Sequence, residues 1–169
     1  MSNKAALDRV LRTIPKPESG LPDEVFDFIR KLTPLVNVDL LIRDGDRSLL
    51  AWREDEYEAG WHIPGGIVRF REALKSRIEA VARLEIGATV ESQPSPCDMN
   101  ELRDHERGHF ISFLYGCKLT GKINPERFFS GRGKPRNGDL NWIKGVPEDL
   151  YPAQKFYANW LMAHPSRGT

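Results

Sequence analysis

The stretch between Trp61 and Gly87 constrains the fold more than any other part of the sequence. It opens with Trp-His-Ile-Pro-Gly-Gly, reaches Glu72 after five further residues, and ends in Leu-Glu-Ile-Gly. A helix from about Glu72 to Ile86 would align Leu74, Ile78 and Val81 on one stripe, with Glu85 in the centre of that stripe. A carboxylate turned toward a core is costly unless it is paired or bound to a cation. The pattern therefore predicts a positive group near Glu85.

A non-functional alternative is that the last helical turn frays and exposes Glu85 to water. The preceding Pro64-Gly65-Gly66 favours a functional interpretation, because glycine lets bare backbone approach a ligand closely. A backbone carbonyl of Gly65 together with the Glu85 carboxylate suits a hard cation. Mg²⁺ is usually held by one or two carboxylates together with substrate phosphates.

Length and composition limit the functions available to the chain. Its 169 residues, 40% of them hydrophobic, suit one core, and a net charge of +1 provides no global field that would recruit nucleic acid or an anionic membrane. The two cysteines, Cys97 and Cys117, lack metal-site spacing. No stretch approaches the roughly 20 apolar residues of a membrane span. We therefore expect one domain in a cytoplasmic location, with any anionic ligand held locally.

Helical and extended patterns alternate along the chain, which predicts an α/β fold. We expect weak helicity over residues 3–13, a linker at 14–20, and a helix that starts at Pro22. An Asp-Gly turn favours a hairpin of 35–42 with 48–52, and 109–119 is typical of a central strand. Residues 121–140 read as a long surface loop before a short strand at 140–143. A last helix is expected over 152–163, with Phe156, Trp160 and Leu161 turned inward.

The spacing Gly66-x5-Glu72, followed by a helix and Glu85-x-Gly87, resembles the signature of Nudix hydrolases, G-x5-E-x7-R-E-U-x-E-E-x-G-U. Consensus Arg, the first Glu and the penultimate Glu are replaced by Ala80, Val81 and Leu84. The GDP-mannose mannosyl hydrolases form a Nudix branch that also lacks those two glutamates. The chain is similar to that branch over residues 33–39, 52–53, 60–66 and 108–110.

This resemblance implies a Nudix-type α/β/α sandwich with a mixed β-sheet. It divides the chain into an N-terminal helical extension, residues 1–33, and a Nudix hydrolase domain, residues 34–169. It also implies a homodimer, for which the apolar first helices would be one interface.

In the branch that the chain resembles, water attacks the anomeric carbon of the sugar, and free sugar and nucleoside diphosphate are released. By position, Gly65 and Glu85 resemble the branch's ligands to Mg²⁺. Arg53 resembles the cation that neutralises the departing diphosphate, and Asp39 resembles an acidic residue lining the ligand site. His109 is carried over as a catalytic candidate, although a lone histidine on a strand is more often structural.

Two branch positions differ in the loop before Trp142. Arg136 and Asn137 stand where the branch has a glutamine metal ligand and a histidine general base, and neither residue can take over that role at neutral pH. His105, Glu106 and Asp139 are candidate substitutes. The basic loop that carries Arg136 is interpreted either as a solvated turn or as a flap that binds the substrate diphosphate.

The sequence thus predicts a Mg²⁺-dependent hydrolase of a nucleoside diphosphate sugar of the GDP-mannose or GDP-glucose type. Two alternatives stay open. One is a Nudix pyrophosphatase that attacks phosphorus, and the other is a nucleotide-sugar binding protein with impaired catalysis.

Overall fold

The computed structural model describes residues 3–162, so that Ala163, the predicted end of the last helix, lies outside the described residues. Within residues 3–162, eight strands form one mixed sheet. They are β1 Leu35–Asp44, β2 Arg47–Glu54, β3 Ala59–His62, β4 Gly65–Ile67, β5 Val90–Ser92, β6 Asp98–Leu102, β7 Phe110–Leu119 and β8 Leu140–Lys144. The α-helices are α1 Asn3–Arg12, α2 Asp23–Ile29, α3 Leu74–Val81 and α4 Ala158–Met162. No helix among the described residues is both long and apolar enough to cross a membrane.

The sheet has the order β3-β2-β1-β7-β5. β1 and β7 run parallel, whereas β4 pairs antiparallel with β1, β6 with β7 and β8 with β2. The predicted hairpin is confirmed, since Asp44 pairs with Arg47 around Gly45, which has a positive φ of 61°. The predicted central strand is confirmed as β7.

Alternating side chains of β1 supply both faces of the sheet. Val38, Leu40 and Ile42 pack on one face with α3, whereas Leu41 packs on the other face with the C-terminal segment. Helical layers on both faces of a mixed sheet confirm the predicted α/β/α sandwich. Asp39 belongs to the same face as Leu41 and is buried there.

The predicted single helix from Glu72 to Ile86 is two segments. α3 ends at Val81 and continues as a π-helical turn, Ala82–Ile86, which closes at Gly87 with a positive φ of 73°. Ile78 and Val81 are buried as expected, but Leu74 is exposed and the Glu85 side chain is 33% exposed. The prediction that Glu85 lies in the centre of a buried stripe was therefore wrong. The wider π turn changes the direction of side chains relative to an α-helix.

The last predicted helix is also two segments, a 3₁₀ helix Pro152–Tyr157 followed by α4. Helix α2 packs on the loop before β7, where Arg30 Nη1 donates a hydrogen bond to the Glu106 carbonyl at 2.8 Å. The N-terminal extension is thus in contact with a loop that helps to form the site below. The proposed domain boundary at residues 33 and 34 stays a prediction.

Candidate functional site

A cavity of about 260 Å³ opens where β1, β2, the β3–β4 turn, the start of β7 and the C-terminal segment meet. We refer to it as the main cavity. Four of the predicted site residues, Asp39, Arg53, Gly65 and Glu85, line it. The other lining residues are Asn37, His62, Gly66, Ile67, Leu102, His105, Arg107, Phe110, Ser112, Tyr151, Ala153, Gln154 and Phe156.

Asp39 forms the floor of the main cavity and is 1% exposed. Its Oδ2 accepts a hydrogen bond from the Tyr157 hydroxyl at 2.7 Å, and its Oδ1 accepts one from Asn37 Nδ2 at 2.8 Å. Burial raises the pKa of Asp39 to about 6, against the hydrogen bonds from Tyr157 and Asn37, which lower it. Hydrogen bonds within the protein thus account for this buried acid on β1, in addition to its position in the cavity lining.

Gly65 packs directly against this floor. A Cβ at this position would lie 2.0 Å from Asp39 Oδ1 and 2.9 Å from the Val38 carbonyl oxygen, so a side chain would displace the carboxylate. Leu40 N–H donates to the Pro64 carbonyl at 2.8 Å, which makes Asp39 and Gly65 a non-hydrogen-bonded pair of the β1–β4 ladder. The amide and the carbonyl of Gly65 therefore point away from β1.

Glu85 forms one wall of the main cavity. Its Oε2 lies 3.3 Å from the Gly65 amide nitrogen and 3.3 Å from His62 Nε2. Arg127 Nη2 donates to the Glu85 backbone carbonyl at 2.7 Å, and a positive side chain at the C-terminal end of a helix is favourable. The predicted positive group is thus the Arg127 guanidinium on the backbone carbonyl of Glu85, and His62 lies beside the Glu85 carboxylate.

Two arginines, Arg53 and Arg107, supply positive charge to the main cavity, and both lie beside the carboxylate of Asp55. Asp55 Oδ2 accepts from Arg53 Nε at 2.9 Å and from the Tyr151 hydroxyl at 2.9 Å, and it lies 3.7 Å from Arg107 Nη1. Burial raises the pKa of Asp55, but hydrogen bonds from the Glu58 and Tyr57 amides, Tyr151 and Arg53 outweigh burial and lower it to about 2. The ionised Asp55 holds both guanidinium groups, and the trio carries a net positive charge.

Gln154 connects the C-terminal segment to the β3–β4 turn. Its Oε1 accepts from the Ile63 amide at 2.7 Å, and its Nε2 donates to the Ile63 carbonyl at 3.1 Å and to Asp39 Oδ1 at 3.4 Å. The side chain thus positions the turn that carries Gly65 relative to the floor of the cavity.

Other predicted residues lie outside the lining. His109 Nε2 pairs with Glu101 Oε1 at 3.0 Å. The Arg136 side chain is 81% exposed and pairs with Asp139 Oδ1 at 3.3 Å. The roles of His109 and Arg136 stay predictions.

The three candidate substitutes for the general base differ in position. His105 lines the main cavity, where its Nε2 lies 3.5 Å from Glu58 Oε2. Glu106 and Asp139 do not line it. Asn137, at the branch's histidine position, instead bonds both the amide and the carbonyl of Glu54, at 2.5 and 2.8 Å, and so fixes the loop to β2.

Sequence reasoning missed His62, Arg107, Tyr151 and Gln154 in the lining. Alanine at position 80 removes the signature arginine that would pair with Glu72, and a different arginine takes its place. Arg77, which is buried, pairs with Glu72 Oε2 through Nε at 2.8 Å and Nη2 at 2.7 Å. A basic residue three positions before Ala80, on the side of the helix that carries Val81, was the available signal.

Comparison with known proteins identifies a relative. The low-salt glycan biosynthesis protein Agl8 of Haloferax volcanii is 41% identical to the chain over 111 residues, which is 62% of the chain and 71% of Agl8. The chain belongs to the family of Agl8. No protein-family model matches the chain.

Solved structures identify the fold of this Agl8 relative. A MutT Nudix hydrolase from Burkholderia pseudomallei has a TM-score of 0.59 at 18% identity, covering 75% of this chain and 97% of that one. A MutT protein from Methanosarcina mazei has a TM-score of 0.57 at 17% identity, covering 77% and 94%. At these identities the likeness shows the fold alone, so this Agl8 relative has the fold of the Nudix hydrolases.

Proposed function

We propose that the protein hydrolyses a nucleoside diphosphate sugar of the GDP-mannose or GDP-glucose type. The observation that carries the proposal is that Glu85, Arg53 and Arg107 line a single cavity. In the proposed reaction the oxygen of water bonds to the anomeric carbon, and the bond from that carbon to the diphosphate oxygen breaks. The bonding electrons stay with the diphosphate, and the water proton passes to a base.

Arg53 and Arg107 suit the leaving group in this reaction. Negative charge builds on the diphosphate as the glycosidic bond breaks, so cations held in place beforehand stabilise the transition state more than the ground state. The shared Asp55 and the Tyr151 ring, whose centroid lies 5.7 Å from Arg53 Cζ, restrict the orientation of the guanidinium groups. Guanidinium forks match phosphate oxygens well.

The donor groups at Glu85 fit a divalent ion that arrives with the substrate. Among residues 3–162 no group of three or more His, Cys, Asp and Glu residues is placed to hold a metal. One carboxylate, with the outward-pointing carbonyl of Gly65 beside it, matches the sparse protein ligation typical of Mg²⁺ on phosphates. A divalent ion held there would supply positive charge to the diphosphate during bond cleavage.

Attack at phosphorus is the second candidate. Two solved neighbours carry such names, an ADP-ribose pyrophosphatase from Streptococcus suis at a TM-score of 0.53 and a UDP-X diphosphatase at 0.51. Against it, Val81 and Leu84 replace two glutamates of the Nudix signature, which removes carboxylates that gather metal. The name of Agl8, a glycan biosynthesis protein, is consistent with a sugar-linked substrate for this chain.

A binding protein without turnover is the third candidate. It is favoured by Arg136 and Asn137, whose side chains bond Asp139 and Glu54 rather than line the main cavity. A basic flap that carries Arg136 stays part of the proposal for substrate binding.

We further propose a homodimer, which sedimentation would test. The first two helices and the turn after α2 expose Leu7, Leu11, Phe28 and Leu32, which suits an apolar interface.

Product analysis in ¹⁸O-labelled water tests the proposal. The protein is incubated with Mg²⁺ and a panel of nucleoside diphosphate sugars, and the products are separated by mass. Free sugar carrying ¹⁸O with unlabelled nucleoside diphosphate is the expected result. Sugar phosphate with nucleoside monophosphate, and label on phosphate, would support attack at phosphorus. No product, with a raised melting temperature for one sugar nucleotide, would support the binding protein.

A further inference from the structure

His62 is held in one tautomer by the strand next to it. Its Nδ1 lies 2.8 Å from the backbone carbonyl oxygen of Ala51, and a carbonyl only accepts hydrogen bonds. Nδ1 therefore carries the proton and donates. In the neutral imidazole the lone pair is then on Nε2, which lies 3.3 Å from Glu85 Oε2.

This arrangement places two acceptors face to face. A neutral imidazole nitrogen and a carboxylate oxygen repel each other at hydrogen-bond distance, so a positive species between them is required. That species is either a proton or a metal ion. A histidine that ligates a metal usually donates its other N–H to a backbone carbonyl or a carboxylate, as His62 does to Ala51.

The separation of the two atoms fits a shared ion. Two ligand atoms at right angles on a metal, with bonds of about 2.1 Å, lie about 3 Å apart. The measured separation between His62 Nε2 and Glu85 Oε2 is 3.3 Å. His62 and Glu85 also line a second, adjacent cavity of about 380 Å³, so the pair is reached from two sides.

The other two described histidines lack this arrangement. His105 Nδ1 accepts a hydrogen bond from the Arg107 amide at 3.1 Å, and its Nε2 faces Glu58. His109 pairs with Glu101 outside the main cavity. Among the described histidines, only His62 directs a nitrogen at Glu85.

We propose that His62 Nε2 and Glu85 ligate the same divalent ion, and that the nitrogen ligand makes the site prefer Mn²⁺ or Co²⁺ over Mg²⁺. The proposal rests on the metal dependence of the proposed function. Mg²⁺ selects oxygen ligands, whereas imidazole nitrogen favours first-row transition ions. This ligand pair would take the place of the glutamine that is arginine at position 136 here.

Pulsed electron paramagnetic resonance of the Mn²⁺-loaded full-length chain tests the ligand directly. We expect ¹⁴N modulation of the Mn²⁺ signal in the wild-type protein, recorded with Mn²⁺ alone and with Mn²⁺ plus GDP. His62→Asn is the decisive variant, because its amide can still donate to Ala51 but has no atom at the Nε2 position. The modulation should disappear in His62→Asn and persist in the matched control His105→Asn.

Calorimetric titration with Mn²⁺ and with Mg²⁺ provides the second readout. We expect His62→Asn to weaken Mn²⁺ binding by about 10-fold or more, with little change for Mg²⁺. Thermal unfolding in EDTA checks that the variant folds. His62→Gln, which keeps an amide near the Nε2 position, is used as well if His62→Asn is unstable.

Absence of Mn²⁺ binding or of nitrogen modulation in the wild type, or modulation that survives in both His62 variants, would overturn the proposal. None of these measurements requires turnover. Sugar release with Mg²⁺ but no nitrogen coupling would leave the proposed function intact and remove this inference. Nitrogen coupling without any product would support this inference and count against the proposed function.

Discussion

Two acids line the main cavity, and the structure holds them in opposite ways. Asp39 on the floor is 1% exposed and accepts hydrogen bonds from Tyr157 and Asn37 at 2.7 and 2.8 Å. Glu85 on the wall is 33% exposed, and its two polar contacts are both 3.3 Å long. A carboxylate with short bonds from neutral donors is already satisfied, whereas a loosely held one keeps oxygen lone pairs for a ligand.

We expect this difference to separate an acid that stabilises the fold from an acid that binds a ligand. Both acids were predicted to lie at the ligand site from the family resemblance. The contacts around each acid, rather than its presence in the cavity, distinguish their roles. The following measurements test that division.

Glu85→Gln should have the largest effect. The variant removes the negative charge but keeps the shape, so we expect hydrolysis to fall by about 10²- to 10³-fold with little change in stability. Steady-state kinetics with the best sugar nucleotide measures the effect. Glu79→Gln, on the exposed face of α3, is the matched control and should retain activity. Full activity in Glu85→Gln would contradict the role in hydrolysis that we give to Glu85.

Asp39 should make the protein less stable as the pH rises. Its pKa of about 6 in the folded state lies above the ordinary value of 3.8, so between pH 4 and 6 the folded state binds more protons than the unfolded state. The free energy of unfolding therefore falls through this window, by on the order of 3 kcal/mol.

Urea titrations of the wild type and Asp39→Asn, in EDTA at several pH values, measure this term. The stability of Asp39→Asn relative to the wild type should increase from pH 4 to 7. Other titrating groups contribute equally to both proteins, so their effects cancel in the difference in free energy of unfolding. One of them is Asp55, which titrates below this pH window because its pKa is low. If the stability difference between the two proteins does not vary with pH, the ionised form of Asp39 does not destabilise the folded state.

Tyr157→Phe should destabilise the floor by about 2 kcal/mol, because it removes the hydrogen bond from a buried hydroxyl to Asp39 Oδ2. The loss should be larger at pH 8 than at pH 4, since the bond favours the ionised carboxylate. Chemical denaturation at both pH values measures it. Tyr115→Phe, a buried tyrosine in the core under α3, is the control for removal of a hydroxyl. Equal losses at both pH values would contradict the role given to Tyr157.

Asn137→Ala should have the smallest effect. The side chain bonds the backbone of Glu54 in an exposed setting, and we expect a loss of about 1 kcal/mol in stability. If Asn137 only holds the loop, kcat changes little, which comparison with Glu85→Gln at equal protein concentration would show. A large fall in kcat without a loss of stability would give this position a role in the reaction.

Local patterns in the sequence were sufficient for the framework of the fold. The Asp-Gly turn, the apolar run of β7 and the alternation along β1 predicted the hairpin and the central strand. The three-residue strand β4 was not predicted, because its pairing with β1 comes from the approach of Gly65 to Asp39 and not from side-chain alternation. The π turn was missed since an α-helical period was assumed through Ile86.

The site was also only partly predictable, because some of its residues belong to a sequence motif and others reach it through tertiary contacts. Asp39, Arg53, Gly65 and Glu85 follow from a resemblance in sequence, and they meet in the main cavity. Arg107 and Gln154 lie on segments with no local signal and contribute only through tertiary contacts with Asp55 and Ile63. Arg77 pairs with Glu72 in place of the arginine that the Nudix signature has at position 80. It lies about one helical turn before that position, so the signature does not predict it.

The contacts of Gln154 and Tyr157 also determine when the site comes into existence during synthesis. Asp39 and Ile63 leave the ribosome about 90 residues or more before the segment that bonds them. Contacts so distant in sequence form late, because the intervening chain must be ordered first. A nascent chain that already contains the paired β1–β2 hairpin therefore has no completed cavity floor. The cavity floor is therefore complete only at the end of folding, when the C-terminal segment docks.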